Sequence, residues 1–254
     1  MFSMLAACGN KNSNADVDIP KYIVATYIYQ NYPADKPLDL DGFTHVNYAF
    51  GVVNDAYNGI DIGNPECFKR IAALKDSFPQ LKVVLSIGGA QAAGFSKMAA
   101  DPILRLAFAA DCGRIIRQYG IDGIDIDWEF PCNAAGSPDD TANHVLLMRD
   151  IRKAIGPDKI HSIAGGGDLA GVDGKGILPY VDYINAMAYD LGWAPYHHTS
   201  LYRSPRTGWR SVEEVVADYN AQGVPNDRIV LGLGFYGRGD EVNYPGWTTY
   251  YEAV

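Results

Sequence analysis

The chain has 254 residues, 48% hydrophobic and 20% charged, with a net charge of −9. That composition supports a globular protein with a sizeable core, and one domain suffices at this length. The acidic balance argues against nucleic acid as a partner, since phosphate binding needs a basic face. No apolar run approaches the roughly 18 residues of a membrane helix.

Residues 1–19 read as a leader and tether ahead of a single folded unit spanning 20–254. The stretch LAAC at residues 5–8 resembles a bacterial lipobox, in which the cysteine is acylated and becomes the mature N-terminus; here that residue is Cys8. Only MFSM precedes it, so the basic and apolar parts of a usual signal segment are absent or cut short. The polar run that follows reads as a flexible tether. The resemblance implies a secreted or cell-envelope lipoprotein whose membrane contact is limited to that anchor. Cys67, Cys112 and Cys132 lack the spacing of a disulfide framework and read as ordinary thiols.

From residue 20 onward, short apolar runs alternate with helical patterns. Runs at 21–29, 43–50, 81–89, 123–130, 160–166, 181–190 and 228–237 give seven predicted strands. Helical spacing appears over 65–77 and 102–119. Ser137 reads as the N-cap of a helix ending near residue 155, with Pro138 in its first turn. Ser211 with Glu214 fits a capping box. Alternation of this kind predicts a parallel α/β sheet. An open doubly wound sheet and a TIM (β/α)8 barrel both satisfy it. An eighth strand is not visible: 17 residues follow Gly237, and their end resembles the start of a helix. The barrel is therefore expected to be truncated at its C-terminal end.

The stretch DGIDIDWEFP, residues 122–131, tips the balance towards the barrel. Strand side chains alternate faces, so Asp125, Asp127 and Glu129 share one face while Ile124, Ile126 and Trp128 share the other. Neighbouring carboxylates then lie about 6.5 Å apart. A barrel interior accommodates such a polar row at the strand's C-terminal end, whereas both faces of a central doubly wound strand are dry. Crowded carboxylates resist simultaneous ionisation, so the set holds a proton to higher pH than usual. Glu129, last in the row, is the best-placed proton donor. A metal cage is a poor reading, because one strand supplies a row of ligands and not a shell. No metal or other cofactor is expected. Gly165, Gly166 and Gly167 read as a strand-end turn, and His197 and His198 as surface or cleft residues. Trp193, Tyr196 and Trp209 fall in loops, where aromatic faces stack on sugars or simply pack.

DGIDIDWE matches the DxxDxDxE signature of glycoside hydrolase family 18, the chitinase family. SIGG at 86–89, MAYD at 187–190, FYGR at 235–238 and YAF at 48–50 resemble further motifs of that family, in order along residues 20–254. The resemblance implies cleavage of β-1,4-linked N-acetylglucosamine polymers by a retaining mechanism in which the substrate's own acetamido group is the nucleophile. It casts Glu129 as general acid and base. Asp127 would hold the acetamido group, and Asp125 would share a proton with Asp127, with Ser86 and Tyr27 nearby. Tyr189 would bond the acetamido carbonyl, and Asp190 and Arg238 the sugar hydroxyls. Tyr27, Phe50, Met187 and Tyr236 would wall the central subsite, and Asp122 would be structural. The family's strand-eight tryptophan has no counterpart by this reading, as Trp247 follows the seventh strand too closely. Two other readings stand beside chitin cleavage: an endo-β-N-acetylglucosaminidase acting on N-glycans, and a glycan-binding lipoprotein without turnover. The intact row of acids argues against the latter.

Overall fold

The computed structural model describes residues 22–243 and 246–249. The lipobox-like segment with Cys8, and the proposed helix start after residue 249, lie outside the described residues. In chain order the strands are β1 (Ala25–Tyr29), β2 (His45–Val53), β3 (Ile60–Ile62), β4 (Lys82–Gly88), β5 (Gly123–Asp127), β6 (Ile160–Gly165), β7 (Tyr183–Met187), β8 (Ile229–Gly232), β9 (Tyr236–Gly237) and β10 (Thr248–Thr249). The helices are α1 (Pro65–Ala72), α2 (Leu74–Ser77), α3 (Phe95–Ala100), α4 (Pro102–Tyr119), α5 (Asp140–Ile155), α6 (Gly174–Ile177) and α7 (Val212–Ala221).

Seven strands pair in parallel in the order β1-β2-β4-β5-β6-β7-β8, with β3 turned back antiparallel onto β2. The order follows the chain without the reversal that defines a doubly wound sheet. Side chains from β1, β2, β5, β6, β7 and β8 line one common cleft, so the sheet is rolled into an arc. This is the TIM-barrel class of fold, with seven of the parallel strands in view. Among the described residues β1 and β8 do not pair with each other, and each keeps one free edge.

Local chemistry places the helices. Asp101 caps α4 by accepting from the backbone N–H groups of Ile103 at 2.7 Å and Leu104 at 3.2 Å; Pro102 follows at the first position, and Gly120, at φ 66°, ends the helix. Ser211 and Glu214 form the predicted capping box of α7. The start of α5 differs from expectation. Asp140 opens that helix, with Asp139 at the cap position and Ser137 outside it. Ser137 Oγ still accepts from Asp139 N–H at 3.2 Å, and the Asp140 carboxylate accepts from Ser137 N–H, Cys132 N–H and the Ser96 hydroxyl, which pins the turn ahead of the helix. The helical run at 65–77 breaks at Ala73 into α1 and α2.

The apolar core lies between sheet and helices. Ile124, Ile126 and Trp128 turn outward into it as predicted, and Trp128 stacks on Phe95 of α3 at 5.3 Å and meets the edge of His144 of α5. Asp122 fixes the entry of β5: one carboxylate oxygen accepts from Lys75 at 2.8 Å and the other from Val83 N–H at 2.8 Å. At the far end β4 approaches β5 closely. A side chain on Gly88 would sit 1.9 Å from the Asp127 carbonyl oxygen, and its φ of 131° suits glycine alone.

Candidate active site

The inward row of β5 ends at the C-terminal mouth of the arc, where sites of this fold class sit. Asp125 and Asp127 are buried and Glu129 half-buried. Asp127 and Glu129 face a cleft of about 350 Å³. Asp125 lies beneath them, held by four donors from four strands. One of its oxygens accepts from Tyr27 Oη at 3.0 Å and Ser86 Oγ at 2.7 Å; the other accepts from Ser162 Oγ at 2.6 Å and Asn185 Nδ2 at 3.1 Å. Register explains the convergence, because Ser86 and Ser162 are the cross-strand neighbours of Asp125 on either side.

The electrostatics separate the three acids. Burial raises Asp125, while its four hydrogen bonds pull the other way by favouring the anion. Burial also raises Asp127, well above the usual carboxylate range, and the charges of Glu129 and Asp125 add to it. Glu129 is raised by burial first and by the charge of Asp190 second. Like-charge crowding therefore raises both Asp127 and Glu129, which titrate as an interacting set. Asp125 is satisfied by four neutral donors, whereas Asp127 Oδ1 is buried without a hydrogen-bond partner among the described residues. The phenols of Tyr27 and Tyr189, raised well above their ordinary range by burial and then by nearby acids, stay protonated; the Tyr27 hydroxyl spends its proton on Asp125, and Tyr189 brings a hydroxyl donor to the cleft lining.

The remaining expected residues assemble around the same cleft. Tyr27, Phe50, Met187, Tyr189 and Tyr236 line it, as do Asp190 and Arg238; Ser86 lies below, on Asp125. Asp190 and Arg238 are not independent. They form a two-pronged pair with N–O distances of 2.7 and 2.6 Å before any sugar arrives, and that pairing holds Asp190 below the usual carboxylate range against its own burial.

Several residues were missed from sequence. Ser162 and Asn185 complete the cage on Asp125 but stand singly in apolar runs. Trp247 also lines the cleft: β9 and β10 pair antiparallel, which brings its ring to 6.0 Å from that of Tyr236. Its nearness in sequence to the seventh strand is what makes this hairpin possible. His198 stacks on Tyr236 from behind at 5.1 Å. A second groove of about 340 Å³, lined by Phe130, Pro131, Gly166, Gly167 and Trp209, lies across Phe130 from the first. Among the described residues no three His, Cys, Asp or Glu side chains are placed to hold a metal ion.

Comparison with known proteins gives a consistent set of relatives. A family model described as Glycosyl hydrolases family 18 matches residues 20–249. Chitinase 1 of Aphanocladium album is 31% identical over 254 aligned residues, covering 91% of this chain; the chain spans 58% of that relative's length. Among solved structures, the chitinase domain of the spore coat protein CotE from Clostridium difficile superposes with a TM-score of 0.83 at 34% identity, covering 92% of this chain and 70% of that one. A glycoside hydrolase family 18 N-acetylglucosaminidase from Paenibacillus barengoltzii superposes with a TM-score of 0.78 at 35% identity, covering 85% and 69% respectively.

Proposed function

The chain belongs to glycosyl hydrolase family 18, and we propose that it hydrolyses β-1,4 linkages of N-acetylglucosamine polymers, chitin or chito-oligosaccharides, with retention of configuration. Glu129 gives its proton to the glycosidic oxygen as the bond to the anomeric carbon breaks. The substrate's acetamido oxygen attacks that carbon, forming an oxazolinium ion, and the leaving sugar departs with the proton. The Glu129 carboxylate then takes a proton from water, whose oxygen attacks the same carbon from the vacated face and reopens the ring. Tyr189 donates to the acetamido oxygen. Asp127 accepts from the acetamido N–H, and the positive charge of the intermediate favours its ionised form.

One observation carries this reading above the rest. Asp127 lines the cleft with Glu129, and its Oδ1 is buried without a hydrogen-bond partner among the described residues. A buried polar atom left unpaired costs about 1–3 kcal/mol, and an amide N–H on the bound sugar removes that cost. The raised proton affinity of Glu129 supports its role as acid.

The test is hydrolysis of chito-oligosaccharides and of an N-glycoprotein by the wild-type chain and by Glu129→Gln. Oligosaccharide cleavage that falls by about 10²–10⁴-fold in the variant is the expected result. Turnover that survives the substitution removes Glu129 from the acid role. Cleavage of the glycoprotein alone moves the substrate to N-glycans. Oligosaccharide binding without turnover by either protein supports a glycan-binding role instead.

A further inference from the structure

His198 belongs to the loop between β7 and α7, and its side chain is only 12% exposed. Three contacts fix it. Asp190 N–H points at Nδ1 at 3.3 Å, Nε2 lies 3.1 Å from the carbonyl oxygen of Tyr236, and the ring stacks on the Tyr236 ring at 5.1 Å and 26°. The two polar partners determine the tautomer. An N–H can only donate, so Nδ1 must be the bare nitrogen; a carbonyl can only accept, so Nε2 must carry the hydrogen. The packing is also close: a side chain on Gly234 would lie 3.1 Å from the imidazole Cε1 and 3.2 Å from Tyr189 Cβ. The imidazole thus ties the end of β7, which presents Asp190 at φ 55°, to β9, which presents Tyr236.

The charged and titratable groups facing the ring are Asp190 from β7, and Arg238 and the Tyr236 hydroxyl from β9 and the residue after it. Nδ1 lies 3.7 Å from Asp190 Oδ1, whose carboxylate is otherwise engaged with Arg238. A second proton on the ring has to go on Nδ1. There it opposes the Asp190 N–H and gives Asp190 a second cation to turn towards. Because the charge on Asp190 acts on Glu129, a shift of that carboxylate reaches the acid.

We propose that His198 is a positioning residue for Glu129: in its neutral Nε2–H form it clamps the Asp190 and Tyr236 walls together and keeps Asp190 on Arg238, and a proton on Nδ1 opens the clamp. The consequence for turnover rests on the hydrolase reading above; the clamp itself does not. Burial, the larger influence, lowers the proton affinity of His198 and keeps the ring neutral near pH 7.

Nitrogen-15 NMR of the imidazoles, with His198 assigned from a His198→Gln variant, tests the clamp directly. The expected spectrum at neutral pH shows Nδ1 bare and Nε2 protonated; a protonated Nδ1 overturns the proposal whether or not the chain is active. Kinetics on a chito-oligosaccharide test the consequence. His198→Phe keeps the stack and loses both polar contacts, so kcat should fall about tenfold, the worth of roughly one hydrogen bond. His198→Gln keeps an amide that can donate to the Tyr236 carbonyl and does not titrate, so at pH 7 it should stay within about threefold of wild type and hold its activity to lower pH. A His198→Phe variant with wild-type kcat, or a His198→Gln pH profile superimposable on that of wild type, overturns the proposal. Absence of turnover in the wild-type chain contradicts the hydrolase reading alone, and the tautomer then decides the clamp.

Discussion

β5 and the β8–β9 segment serve the same cleft under opposite physical conditions. Every residue of β5 is buried, with helices on one face and the arc interior on the other, whereas every residue of β8 is partly exposed beside a free strand edge. On β5 Asp125 is held by four hydrogen bonds where water cannot compete, and Asp127 is buried beside it. On the outer wall Tyr236, Arg238 and Trp247 are held by ring contacts and by an ion pair that solvent reaches. In the proposed mechanism the proton transfer draws on the first environment, where burial raises the carboxylates, and the bound polymer lies against the second.

The contrast predicts a graded response to substitution. Asp125→Ala removes the acceptor from four donors at once, and should cost about 3–5 kcal/mol by urea unfolding, in the range seen when one partner leaves a buried polar network. A loss below 1 kcal/mol would show that the cage on β5 is no more rigid than the wall. Asp127→Asn should act in the opposite sense. The folded state binds the Asp127 proton more tightly than the unfolded chain does, so wild-type stability falls as pH rises from the ordinary Asp value through the folded one. The amide escapes that loss and should be about 1–2 kcal/mol more stable at pH 7, with the gain vanishing below about pH 4, where both states hold the proton. Thermal melts at the two pH values measure this, and turnover should fall as stability rises. A variant less stable than wild type at pH 7 would mean that Asp127 is not under strain. Arg238→Ala, on the partly exposed wall, should cost less than about 1 kcal/mol of stability. Its effect belongs in KM for the oligosaccharide, and an unchanged KM would remove the pair from substrate contact.

Much of the interior was legible in the sequence; of the wall, Asp190, Tyr236 and Arg238 were legible as residues, but their contacts and Trp247 were not. The seven parallel strands announce themselves as apolar runs, and the alternation of Ile124, Ile126 and Trp128 with three acids fixes which face each side chain takes. What spacing cannot show is which acid bears the strain. That depends on Ser162 and Asn185, lone polar residues on β6 and β7 whose only pattern is their register against Asp125. Counting the row alone assigns the raised affinity to Glu129; with the donor cage favouring the Asp125 anion, Asp127 and Glu129 share it. The outer wall rests on β9 and β10, two residues each, too short for any periodicity. The pairing of Asp190 with Arg238 and the contact of His198 with Tyr236 join residues 48 and 38 positions apart. Asp140 makes the same point for α5, where contacts to Ser96 and Cys132 add to the local capping contact at Ser137 and move the helix start.

In the proposed mechanism the substrate's acetamido group, held by Asp127 and Tyr189, takes the place of an enzyme nucleophile while Glu129 handles the proton. Proton NMR of the first products from a β-linked chito-oligosaccharide, recorded before mutarotation, distinguishes it from inversion. The β-anomer at the new reducing end is the expected product; α-anomer as the first product would overturn the mechanism.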